Sequence, residues 1–122
     1  MRGGGVWTGP KGGGACRRVP EAGDFRDPDG REFSVLCGSA THASTTDVED
    51  RPRKISHCVL TTGNMEGSVS FFTEALGFAV SDRTRMLSFL RCNTDHHSIA
   101  LASGPGSSLH HIAFEMPDLD SV

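Results

Sequence analysis

No apolar run in this 122-residue sequence approaches the ~18 residues that a membrane-spanning helix requires, so no membrane partner is expected. A basic stripe is missing as well. Residues 1–54 hold nine of the twelve Lys/Arg against eight acids, and residues 55–122 hold three against seven. The acids offset the cations to a net +1 in the first part and −4 in the second, so neither half forms a basic stripe, which argues against nucleic acid as a partner. The four cysteines, Cys16, Cys37, Cys58 and Cys92, form no Cys-x-x-Cys pair and repeat no short spacing, so a zinc knuckle is not expected. The first twenty residues contain seven glycines and no apolar h-region, so they do not read as a secretory start. Together these absences predict a cytoplasmic protein with reduced thiols.

What is present is unevenly distributed. Residues 1–24 are rich in Gly, Pro and Arg without a hydrophobic period. They bury too little apolar surface to offset chain entropy and are expected to be disordered. In residues 25–37, Asp27-Pro28-Asp29-Gly30 is a tight-turn signal, with Phe33 and Val35 in a short strand after it. Residues 38–54 return to small and charged residues and read as a linker, with His42 a solvated loop residue.

From residue 55 to 122 the chain reads as a folded domain. Ile55–Thr62 is β-branched, with His57, Val59 and Thr61 on one face. Asn64 is a candidate N-cap, and Met65, Val69, Phe72 and Leu76 form one helical stripe that Gly77 stops. Strands are predicted over 78–82, 86–92, 98–102 and 109–116, and residues 117–120 resemble a helix start. The order β-α-β-β-β, then β and the start of an α, predicts an α+β fold with one complete βαβββ copy and the opening of a second.

Histidine is the residue type that carries chemistry. His57 opens the first of these strands, His96 and His97 precede the fourth, and His110 and His111 open the fifth. Alternation places His110 with Ile112, Phe114 and Met116, an apolar set expected to face the core. His111 falls with Ala113 and Glu115, a set suited to a cleft, and is the better ligand candidate. His57 and His111 can meet if the two copies pair like with like. The competing reading is that these are hydrogen-bonded structural histidines of a non-catalytic binding module. Two imidazoles and one carboxylate with open positions suit non-haem Fe(II). Glu115, however, lies about 13 Å beyond His111 at ~3.3 Å per strand residue, and Asp118 and Asp120 lie further away.

The segments ISHCVLTTGNMEGSVSFFTEALGFAVSD, MLSFLRCNTDHHSIALA and LHHIAFEMPDLDSV resemble the catalytic domain of type I extradiol dioxygenases. These belong to the vicinal-oxygen-chelate superfamily, with glyoxalase I and bleomycin-resistance proteins. FFTEALGF is common across the superfamily, whereas CNTDHHSIALA followed by LHHIAFEM points to the dioxygenase branch. The resemblance implies Fe(II)-dependent ring opening of a catechol, a small aromatic diol, by O2, with Mn(II) as the alternative ion. It implies that His57 and His111 are metal ligands and His97 the acid/base, with His96 and His110 less suited to act directly. It places the third ligand, a Glu, and a nearby Tyr on strands beyond Val122; the present sequence contains no Tyr. The chain is thus expected to be a fragment, inactive alone, of a parent that is a homo-oligomer.

The superfamily also uses turns like Asp27–Gly30 to enter a module's last strand, where a metal-binding Glu often stands four residues after the Gly; here that position is Ser34. Residues 25–37 therefore resemble the last hairpin of a preceding module. Phe72 stands where Tyr is frequent and Cys58 where an aliphatic residue is usual. A glyoxalase or bleomycin-binding protein is the other family reading, although glyoxalase I expects Glu or Gln among its first ligands.

Overall fold

The computed structural model describes residues 21–41, 43, 48 and 50–122. The expected disorder of residues 1–20 and the solvated position of His42 lie outside them.

A hairpin comes first. β1 (Glu21–Arg26) pairs antiparallel with β2 (Glu32–Cys37), in a register running from Glu21 opposite Cys37 to Arg26 opposite Glu32. The strand thus begins inside the segment expected to be disordered, because pairing with β2 supplies order that local composition does not signal. At the turn, Asp27 Oδ1 accepts from the backbone N–H of Asp29 (3.0 Å) and Arg31 (2.8 Å), and Gly30 takes the positive φ of 82° that closes it. Cys37 is disulfide-bonded, which departs from the expectation of four reduced thiols. Sequence spacing does not reveal such connectivity.

The hairpin is docked on the domain. Phe25 stacks on Phe33 with ring centres 5.3 Å apart, and Phe33 meets Phe72 edge-on at 6.0 Å. Arg31 pairs with Asp27 and with Asp29 (2.9 Å) and donates to the carbonyl of Thr61, while Ser68 Oγ donates to Asp29 Oδ2 at 3.1 Å. An aromatic stack and a polar latch therefore hold the two parts together.

The domain is a five-stranded mixed sheet with one helix, the α+β class expected. β3 (Lys54–Thr62) leads into α1 (Met65–Ser70), whose helix continues as a wider π-helical turn over Phe71–Ala75. β4 (Ala79–Arg83), β5 (Leu87–Arg91), β6 (Ile99–Ser103) and β7 (Ser108–Glu115) follow, and Leu119–Ser121 forms a short 3-10 turn. The sheet order is β4-β5-β6-β3-β7; β3 runs parallel to β6, and every other pair is antiparallel.

Asn64 caps α1, its side chain accepting from Gly67 N at 3.0 Å. Thr73 Oγ1 donates back to the Val69 carbonyl at 2.9 Å where the helix widens, and Gly77 ends it at φ 75°. The expected stripe is the core: Val69 and Phe72 are buried against Leu60, Leu90 and Leu101, with Met65 and Leu76 at the margin. The core therefore occupies one face of the sheet, and alternation leaves Val59, Phe89 and Ala100 facing the other way.

β7 departs from expectation. The set read as core-facing is open, with Ile112 44% and Phe114 54% exposed. β7 is an edge strand, and no described element covers that side of it.

Candidate functional site

The face opposite α1 carries a cavity of about 420 Å³. Its walls are Val59, Leu87, Phe89, Ala100 and Ala102, every one drawn from a strand by the same alternation. Four histidines also line it, namely His57, His97, His110 and His111.

Strand register brings them there. β3 and β7 pair so that His57 faces Ala113 and Val59 faces His111, which puts both candidate ligands on one side. The rings of His57 and His111 are 5.7 Å apart, and His97, on the loop between β5 and β6, lies 4.3 Å from His57. Phe89 supports His97 edge-on at 4.9 Å. The three residues singled out from sequence therefore converge.

His110 does not behave as alternation requires. The register slips between Val59 and Leu60, whose partners are His111 and Leu109, so His110 is an extra, bulged residue on β7. The bulge lets two consecutive histidines line one cavity, and their Nδ1 atoms lie 2.8 Å apart. His96 and His97 make the same contact at 2.9 Å. A histidine doublet was the available signal for His110, and the alternation rule overrode it.

Burial holds the pKa of His57 below the ordinary 6.5, with the charge of His111 a smaller cause. Burial lowers that of His97 too, followed by the charges of His57 and His96. Both shifts favour neutral imidazole, the form that ligates a metal or accepts a proton. Burial raises the Cys58 thiol, which suits a packing role.

Asp95, Glu115 and Asp118 are engaged elsewhere. Lys54 Nζ contacts Asp95 Oδ2 at 2.7 Å and Glu115 Oε2 at 3.5 Å, linking the start of β3, the His96-His97 loop and the end of β7. Asp118 accepts from Ser121 N at 3.0 Å. The Ser34 hydroxyl donates to Asp24 Oδ1 at 2.6 Å.

Among the described residues no group of three His, Cys, Asp or Glu side chains could hold an ion. Two imidazoles sharing a first-row cation at about 2.1 Å would set their ring centres about 4.5–6 Å apart. The His57–His111 spacing of 5.7 Å falls in that range. The pair fits part of a divalent-metal site.

Known proteins share this arrangement of strands. The chain is 32% identical over 114 residues to a 3-methylcatechol 2,3-dioxygenase of Pseudomonas putida, covering 79% of this chain and 39% of that one. It superposes on a Mn(II)-bound glyoxalase of Novosphingobium aromaticivorans with a TM-score of 0.67 and 39% identity, over 82% of this chain and 34% of the other. A halotolerant catechol dioxygenase matches with a TM-score of 0.70 and 25% identity, over 85% and 44% respectively. The chain thus spans about two fifths of the length of the curated relative. The family model that matches residues 54–122, more than half of the sequence, makes this chain a member of the Glyoxalase/Bleomycin resistance protein/Dioxygenase superfamily.

Proposed function

We propose that this chain is part of an extradiol dioxygenase that opens catecholic rings with O2, with His57 and His111 as ligands to Fe(II) and His97 as the acid/base. The observation that carries the reading is the meeting of these three imidazoles on one face of the sheet, over a cavity with apolar walls. Similarity to the Pseudomonas 3-methylcatechol dioxygenase supports the substrate class. Bound Fe(II) would supply a template for diol and O2 and a path for electrons between them.

The protein side of the chemistry follows from the cavity. Phe89, Leu87 and Val59 offer a dry wall for a flat aromatic ring. His97, neutral near pH 7 and beside His57, takes the proton that a bound diol must lose and returns it later. A third ligand, a carboxylate, comes from outside the described residues in this reading, and the 122-residue chain alone is inactive.

The test is ring opening of catechol or 3-methylcatechol in air by the longest protein that the reading frame encodes, reconstituted anaerobically with Fe(II). The product is followed by its visible absorbance. Turnover by that protein and none by residues 1–122 is expected. Absence of turnover with every catechol tried, in a protein that binds Fe(II), overturns the dioxygenase reading. The likeness to the Mn(II)-bound glyoxalase favours a second reading, isomerisation of a glutathione hemithioacetal. Mn(II)-dependent loss of that substrate, with catechol untouched, would establish it instead.

A further inference from the structure

Each of the three candidate functional imidazoles, His57, His97 and His111, has its Nδ1 engaged by the side chain immediately before it in sequence. Ser56 Oγ lies 3.2 Å from His57 Nδ1, His96 Nδ1 lies 2.9 Å from His97 Nδ1, and His110 Nδ1 lies 2.8 Å from His111 Nδ1. For the two strand-borne rings the preceding residue is also a bulge. The register slips between Ile55 and His57 and again between Val59 and Leu60, leaving Ser56 on β3 and His110 on β7 as the unpaired extra residues. In a regular strand, successive side chains point to opposite faces. A bulge re-aims one of them, and here both bulges fall on the residue that touches a ring.

The chemistry of imidazole makes this contact consequential. A neutral ring carries one N–H and one lone pair, and a hydrogen bond at one nitrogen decides which nitrogen is left to ligate. If His111 donates its Nδ1–H to the lone pair on His110 Nδ1, Nε2 of His111 is unprotonated. If His110 donates instead, the neutral His111 ring carries its proton on Nε2 and has no free lone pair. The same choice holds for Ser56, whose hydroxyl can accept from His57 Nδ1–H or donate to it.

We propose that Ser56 and His110 are positioning residues that accept the Nδ1–H of His57 and His111, and so present Nε2 of both rings to a divalent cation. The proposal rests on the metal-site reading above and adds the tautomer and the residues that set it. Outer partners of this kind typically change metal affinity about 10–100-fold. His110 is exposed and Ser56 is half-buried at the start of the sheet, so both positions tolerate small substitutions.

The test is Co(II) titration, followed by visible absorption, of the longest protein the reading frame encodes, with proton NMR of the loaded form. Serine 56 is changed to alanine (Ser56→Ala) or threonine (Ser56→Thr), and His110→Ala is compared with His110→Asn. Wild-type protein should bind Co(II) and show slowly exchanging, paramagnetically shifted ring N–H signals. Ser56→Ala and His110→Ala should each weaken binding about tenfold or more and make one N–H signal exchange rapidly. Ser56→Thr and His110→Asn, which keep an acceptor, should restore both properties. Failure of the wild-type protein to bind Co(II) defeats the metal-site reading itself. Binding by wild type with unchanged affinity and unchanged N–H exchange in the alanine variants defeats this proposal alone.

Discussion

His57 on β3 and His111 on β7 lie with their rings 5.7 Å apart, although fifty-odd residues of helix, strand and loop separate them in sequence. The relation depends on β7 pairing directly and antiparallel with β3, which brings the middle of both strands, at His57 and His111, to the same side of the cavity.

If these two rings share an ion, removing either should cost more than removing an outer partner. His57→Ala and His111→Ala are each expected to weaken Fe(II) or Co(II) binding by more than about 100-fold. Calorimetry with an unchanged circular dichroism spectrum checks this.

His97 should behave differently. His97→Phe keeps a ring against Phe89 and His57 but removes the proton carrier. It should lower kcat for catechol cleavage about 10²–10⁴-fold with metal affinity unchanged. Parallel measurement of kcat and of Fe(II) binding separates the two effects.

The lowered pKa values of His57 and His97 have a consequence for stability. The folded state resists protonation of both, so below the ordinary value of 6.5 the unfolded chain binds more protons. Unfolding free energy of the metal-free protein should therefore fall as pH drops through about 6.5, and level off below the folded pKa values. Urea midpoints across this range check it, and the slope should diminish in His97→Phe.

The latch at the hairpin provides a stability prediction independent of metal. The Asp27 side chain is fully buried and that of Arg31 is 12% exposed. Arg31→Met strands a buried carboxylate, which typically costs about 3–5 kcal/mol. Phe72→Ala, at a position with 0% exposure, should cost a similar 3–5 kcal/mol or so. Chemical denaturation measures both, and limited proteolysis of Arg31→Met should cut early in the freed hairpin.

Much of this was legible in the sequence because local rules and the fold agree there. The stripe of Met65, Val69, Phe72 and Leu76 is the core-facing side of the helix, and Gly77 ends it with a positive φ. Alternation places His57, Val59 and His111 on the side that lines the cavity. The remainder depends on partners that no local window contains. β1 is ordered by β2, and Lys54 finds Asp95 only once the sheet has assembled. His110 changes side because of a bulge that is invisible to a period-two pattern. Ile112 and Phe114 were expected inside from their apolarity, but apolarity alone does not create a covering element on an edge strand.

Anomalous diffraction at the iron edge, from crystals of the longest protein the reading frame encodes, loaded anaerobically with Fe(II), decides whether His57 and His111 share an ion. One iron peak within bonding distance of a ring nitrogen of both His57 and His111 is expected. Iron bound to neither ring, or to only one of them, would contradict a shared site.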